Sequence, residues 1–279
     1  MLTNKKICFV GAGSMAEAVL AGILNQRIVK PGAISITNRS DRFRLDELVY
    51  NFGVVADADQ KEKYIREADI LILAMKPNDV ESAIAEIKAL THSDQLIISV
   101  IAGITTTFIS KQFGHHAPIV RAMPNTSATI GQSATGLCQG ATATSEHLAT
   151  ASRIFEAIGM VVTVEEAQLD AVTGVSGSGP AYIYYIAEAI LAGAMEAGLD
   201  QEMARELTLQ TIIGAAQMLH ETGETPTALR EKVTSPNGTT QAGLDTLRSH
   251  KVDEAIVSCI LKAKERSIEL GTELTRSKA

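Results

Sequence analysis

The opening part of the chain alternates short apolar runs with longer stretches in which apolar residues recur every three or four positions. Runs over residues 7–10, 33–37, 53–56, 70–74 and 96–100 predict strands, and several have no polar face. Strands apolar on both sides belong to a parallel sheet covered by helices, because such a sheet is buried on both faces. The intervening stretches over 14–26, 41–51, 79–89 and 105–113 have the helical period that supplies those covers. Two further strands over 119–122 and 160–164, flanking a helix over 145–158, extend the sheet. This is the βαβ rhythm of a doubly wound α/β domain.

Beyond about residue 165 the strand pattern stops and helical periodicity runs almost to the end. Residues 180–197 form a nearly unbroken apolar and small-residue segment whose only charges are Glu188 and Glu196. A helix apolar all round is expected to be buried all round, here by other helices, including those of a second subunit. Its length approaches a membrane span, but the embedded acids argue against one. Helices over 201–220, 228–233, 241–248 and 253–274 are its expected neighbours. The fold class is therefore α/β: a doubly wound domain over residues 1–164, then an all-α domain over 165–279.

Composition narrows the partners rather than the fold. A net charge of -7 without a long basic run excludes nucleic acid, whose phosphates demand clustered cations. Cys8, Cys138 and Cys259 are scattered, without the spacing of a zinc site or a disulfide framework. The first apolar run is too short for a signal sequence or a membrane anchor. A cytoplasmic protein is expected.

The first candidate chemistry lies where the first strand ends. Gly11, Ala12, Gly13, Ser14, Met15 and Ala16 make a GxGxxA turn opening a helix. Gly11 permits the tight turn, Gly13 lets backbone approach a pyrophosphate, and Ala16 allows close helix packing. The strand before it and the βαβ units after it supply the context that makes this a dinucleotide site. The second strand ends in Asn38, Arg39 and Ser40, where NAD-binding chains usually carry a carboxylate for the ribose. A 2′-phosphate suits Arg39 and its hydroxyl and amide neighbours, so NADPH is expected, with NADH as the alternative. Asp41 reads as the cap of the next helix. The strand ends at Ala74, Met75, Lys76 and Pro77, and at Val100, Ile101, Ala102 and Gly103, lie where cofactors bind such sheets. Small residues at Ala102 and Gly103 would let a nicotinamide ring lie near backbone.

Two later segments carry a family resemblance. Residues 170–182 (DAVTGVSGSGPAY) and 234–240 (TSPNGTT) resemble signatures of the pyrroline-5-carboxylate reductases. Residues 11–15, 74–77 and 121–126 fit the same pattern in the same order, so the resemblance spans nearly the whole chain. It implies a Rossmann domain and a helical domain that interlocks with its twin in a homodimer, with further assembly up to decamers. It also implies reduction of the cyclic imine 1-pyrroline-5-carboxylate to L-proline. By the same resemblance Ser235, Gly238, Thr239 and Thr240 would grip the substrate carboxylate, Thr240 would reach the ring nitrogen, and Glu166 would contact the substrate. Three departures stand out: Asn237 replaces a usual Gly, Lys232 replaces an Asn that reaches cofactor in some members, and no adenine-contacting Asn occurs near Lys61.

Read without the resemblance, residues 235–240 are a hydroxyl-rich turn opening a helix, suited to a carboxylate and equally to plain capping. The glycine-rich turn over 176–180 suits close backbone approach or tight packing at a domain junction. A 3-hydroxyacid dehydrogenase, the alternative activity, needs a Lys or His base, and residues 180–186 hold neither. A non-enzymatic NADPH sensor is a third reading. An imine explains the missing base, because its nitrogen can arrive protonated and its carbon then needs only hydride. Tyr182, Tyr184 and Tyr185 read as core residues, and His92, His115, His116, His147, His220 and His250 as surface residues without partners. Glu165, Glu166 and Asp170 lack the clustering of a metal site, so none is expected.

Overall fold

The computed structural model describes residues 2–114 and 116–276. It comprises two compact units: the chain up to Ser178 together with its end from Leu261, and Gly179–Ile260.

The first unit holds a sheet of β1 (Ile7–Val10), β2 (Ile34–Thr37), β3 (Ile70–Leu73), β4 (Leu96–Ser99), β5 (Ile119–Met123), β6 (Ser133–Gln139) and β7 (Gly159–Thr163). Their order across the sheet is β2-β1-β3-β4-β5-β6-β7. β1 to β5 are mutually parallel, and β6 turns antiparallel to β5 and carries β7 parallel to itself. β1, β3 and β4 are buried at every position. The helices are α1 (Ser14–Asn25), α2 (Arg42–Phe52), α3 (Lys61–Glu67), α4 (Val80–Ile87), α5 (Thr106–Phe113), α6 (Ser145–Phe155) and α7 (Leu169–Val172). One core cluster carries Leu20, Ile23, Leu48 and Phe155, and a second carries Ile65, Ile84, Ile109 and Phe113. Both faces of the sheet are thus covered, as the doubly apolar strands require.

Strand order reverses direction at β1, with β2 on one side and β3 on the other. Ligands of open α/β sheets bind at such a switch, outside the carboxyl ends of the strands. That is where the glycine turn, the Asn38–Arg39 corner and Ala74–Lys76 meet.

The local structure differs from the sequence pattern at several points. Residues 53–56 form no strand, only an isolated bridge between Val55 and Ser35. Gly53 is taken by the left-handed cap of α2 (φ 68°) and Asp57 by the next turn, leaving too little chain for a strand. β6 was unexpected, because Ser-Ala-Thr-Gly at its start shows no apolar run. α3 was likewise unexpected, since only Ile65 of its residues is buried. The fifteen residues after β7 also continue the first unit as far as Ser178. There residues 173–177 form a π-helical turn leading on from α7 rather than a glycine loop.

The second unit holds α8 (Gly179–Glu196), α9 (Gln201–Thr222), α10 (Pro226–Lys232) and α11 (Thr239–Ser249). The last helix, α12 (Val252–Arg276), begins in this unit and ends in the first. α8 packs along α9, and within one chain no residue of α8 is buried, so the expected all-round burial is not reached by a single chain's own helices. Tyr184 and Tyr185 are 60% and 74% exposed rather than in a core. Among the described residues no helix is long and apolar enough to cross a membrane.

Candidate active site

The glycine turn is built by backbone. Gly11 has φ +118°, and a Cβ there would lie 2.5 Å from the Ala74 carbonyl oxygen. Only glycine suits both demands. The Gly11 N–H donates to the Thr37 carbonyl at 2.8 Å and the Ala74 N–H to that of Val10 at 2.9 Å, tying the ends of β1, β2 and β3 together. Gly13 differs: a Cβ there would meet nothing within 4 Å, so the protein's own packing does not demand glycine. Gly13 is also the N-cap of α1, with no side chain capping the helix. An uncapped helix start with open space before it is a ready anion site. These observations fit a dinucleotide pyrophosphate. Ala16 is buried against the sheet, as expected.

Arg44 braces this turn. Its Nε donates to the Ala12 carbonyl at 3.0 Å, its Nη2 to Glu17 and its Nη1 to Glu47 at 2.6 Å. Hydrogen bonds to Glu17 and then Glu47 hold its pKa above the ordinary arginine value. No sequence signal marked Arg44 as a brace, because Glu17 and Ala12 lie 27 and 32 residues away.

A cavity of about 290 Å³ opens beside the turn, lined by Gly11, Ala12, Gly13, Asn38, Arg39, Ala74, Met75 and Lys76 among others. A second, of about 220 Å³, adjoins it and includes Ser40. Of the other expected cofactor residues, Ser14 and Met15 open α1 and Pro77 starts the turn after Lys76. Asp41 caps α2, one of its carboxylate oxygens accepting from the Arg44 N–H at 3.0 Å. Asn38 donates to the Asp41 carbonyl at 2.6 Å. Arg39 is 79% exposed and faces Asp79 at 3.8 Å, a loose pair free to turn to a ligand. Lys61, absent from the expected set, lines both cavities.

The segment Val100, Ile101, Ala102, Gly103 lies outside both cavities. Ile101 points into the core. Gly103 has φ +76° and lies against α12, where a Cβ would come 2.9 Å from the Ser267 carbonyl oxygen. Its small size therefore serves helix packing.

Glu166 is engaged. It accepts from the Thr106 N–H and hydroxyl, both at 2.7 Å, and pairs with Arg121 at 3.6 Å. Arg121, 2% exposed, also faces Asp170 at 3.6 Å, and Asp170 accepts from the Ser267 hydroxyl at 2.7 Å. Buried charge is tolerated only when paired in this way. This cluster joins β5, the start of α5, α7 and α12. Ser176 donates to the Ala134 carbonyl at 2.5 Å, and a Cβ at Gly177 would lie 2.6 Å from the flexible end of the Met123 side chain. Packing therefore bears on Gly177, whereas a Cβ at Gly179 would meet nothing within 4 Å. Among the described residues, no group of three or more His, Cys, Asp and Glu is placed to hold a metal.

In the second unit, residues 235–238 close a turn through the Gly238 N–H and the Ser235 carbonyl at 3.0 Å. Pro236 occupies its second position and Asn237, with φ +60°, its third. That is a type II turn, whose third position favours Gly or Asn, so the substitution at 237 keeps the geometry. Gly238 precedes α11 without a side-chain cap, leaving the first N–H groups of that helix open beside the exposed Ser235, Thr239 and Thr240. Lys232 is paired with Glu224 at 2.6 Å.

His115 lies outside the described residues. His92, His116, His220 and His250 are exposed, but two histidines do have partners: His147 completes a capping box with Thr144, and His250 meets the Thr246 carbonyl. Burial pushes the Cys8 and Cys138 thiols up to about 11, so both are inert.

Sheet order, glycine turn and cavity define a Rossmann-type dinucleotide-binding protein. A family profile described as "NADP oxidoreductase coenzyme F420-dependent" matches residues 6–103, and one described as "Pyrroline-5-carboxylate reductase dimerisation" matches 166–270. Pyrroline-5-carboxylate reductase 1 of Bacillus spizizenii is 44% identical over 99% of this chain and 93% of its own. The crystallised pyrroline-5-carboxylate reductase of Coxiella burnetii is 36% identical, with TM-score 0.87 over 96% of this chain and 99% of its own. The pyrroline carboxylate reductase of Plasmodium falciparum, solved with NADP bound, is 28% identical, with TM-score 0.88 over 97% of this chain and 100% of its own. The chain belongs to the pyrroline-5-carboxylate reductase family.

Proposed function

We propose that this protein reduces 1-pyrroline-5-carboxylate to L-proline in the cytoplasm, with NADPH as the preferred reductant. The observation that carries the substrate is the uncapped start of α11 behind the Ser235–Gly238 turn. Open N–H groups, the positive end of a helix of 11 residues and three hydroxyls suit a carboxylate. NADPH, when bound, supplies the hydride that reduces the imine carbon. The chain's own residues hold the reacting groups: Gly11 to Ser14 receive the pyrophosphate and Ser235, Gly238 and Thr239 the substrate carboxylate. Thr240 orients the ring nitrogen, whose proton the protonated imine already brings. Positioning thus replaces acid catalysis.

The 3-hydroxyacid dehydrogenase reading is not favoured, since family membership and the missing base on α8 both oppose it. Preference for NADPH rests on the Asn38–Arg39–Ser40 corner, with Asp41 engaged as the cap of α2. The second unit is proposed to form a homodimer, on which larger assemblies such as decamers would build. The exposed apolar residues of α8 and the dimerisation profile over this region support it.

The test follows NADPH absorbance with 1-pyrroline-5-carboxylate and repeats it with NADH. Rapid oxidation favouring NADPH is expected. Oxidation favouring NADH would overturn the cofactor preference alone, whereas no oxidation by folded protein that binds either nucleotide would overturn the reaction.

A further inference from the structure

Four residues wall both cavities: Thr37, Asn38, Arg39 and Lys61. Three belong to the end of β2, and Lys61 alone reaches in from another element, the first turn of α3. A cation is the disfavoured charge at a helix N-terminus, so local stability does not explain a lysine there. Nor is it a free surface residue. Its side chain is 30% exposed, and its Nζ lies 3.3 Å from Glu86, itself 55% exposed and lining the first cavity.

The second cavity lies beside the end of β2, where a ribose 2′ substituent falls in this class of sheet. The cations around it are Arg39, Arg42 and Lys61, and Asp57 is the acid. The Asp57 carboxylate is already bound by the Asp59 N–H and the Gln60 amide, each at 3.0 Å. Arg39, at 79% exposure, is only loosely paired, with Asp79 at 3.8 Å. We infer that Lys61 is a specificity-determining residue that clamps the 2′-phosphate of NADPH together with Arg39, with Glu86 holding its ammonium until the phosphate arrives. The exchange is favourable because a phosphate monoester carries nearly two charges and more acceptor oxygens than Glu86. A partly exposed ion pair costs little to give up. The inference rests on the NADPH reading and adds a second cation to it.

The test measures dissociation constants of NADP+ and NAD+ by calorimetry for wild type, K61M and E86Q. The nicotinamide-free probes adenosine 2′,5′-bisphosphate and 5′-AMP are measured alongside. K61M should lower the NADP+ to NAD+ preference by about tenfold, as loss of a charge-assisted contact implies, and the two probes should shift alike. E86Q, at an exposed position, should raise that preference by about twofold to fivefold, and it decides the matter if K61M does not fold. A K61M protein with the wild-type ratio would overturn the inference, as would E86Q leaving the ratio unchanged where K61M is unfolded. Wild type without any NADP+ preference would overturn the cofactor reading, and this inference with it.

Discussion

The two compact units bury apolar residues very differently. In the first, β1, β3 and β4 are fully enclosed and two continuous core clusters fill both sides of the sheet. In the second, Ile183, Tyr184, Tyr185, Ile190, Leu207 and Ile213 all stand exposed, and α9 buries only Ala204 and Thr208. The first unit encloses its central strands within a single chain; the other presents core-like composition outward. Large exposed apolar surface marks an interaction site, and proposed dimerisation would supply the missing cover. The lesson concerns periodicity. An apolar pattern reports what will be buried, but not by which chain.

The largest test of this contrast is I186E combined with I190E, two half-exposed positions one turn apart on α8. Burying two new charges at an interface costs several kcal/mol. Sedimentation should show loss of the assembly and turnover should fall to background, while NADP+ binding persists because the first unit's core is untouched. A double variant sedimenting like wild type would show that α8 is not the covered face.

Gly11→Val probes the other unit. A Cβ 2.5 Å from the Ala74 carbonyl oxygen, at a φ that only glycine tolerates, must displace the end of β3. NADP+ affinity should fall by about a hundredfold or more while the oligomer is retained. Equal loss of both would mean the units are not independent. Thr240→Ala should act on neither property. It should lower kcat/KM for the imine by about tenfold, the weight of one polar contact, and a wild-type value would remove Thr240 from the mechanism.

How much of this was legible follows the same division. β1, β3 and β4 were readable because burial on both faces forces unbroken apolar runs. β6 was not, because Ser133 and Thr135 are buried through hydrogen bonds to each other rather than through apolar character. The glycine turn was readable from Gly11 and Gly13, whose backbone roles are local. The roles of Arg44 and Lys61 were not readable, since each reaches the site from a helix whose placement only the tertiary fold decides. Glu166 was singled out through family likeness. The structure shows its carboxylate anchored to Thr106 and Arg121, partners separated from it by about 60 and 45 residues.

The smallest expected effect sits at Asn237, and it separates two accounts of the substrate loop. If the loop works through its backbone, what matters at 237 is the ability to hold φ +60° in the third position of the turn. Glycine does so freely, asparagine with modest cost, and alanine at about 1 kcal/mol or more. N237G should then behave as wild type, while N237A raises KM for the imine by about fivefold with NADP+ affinity intact. If instead the Asn237 amide itself touches substrate, both variants lose it and both raise KM alike. A shared loss would place a side chain, rather than a backbone conformation, at the carboxylate. It would also make this departure from the family pattern a functional one, since a glycine there could not supply the contact.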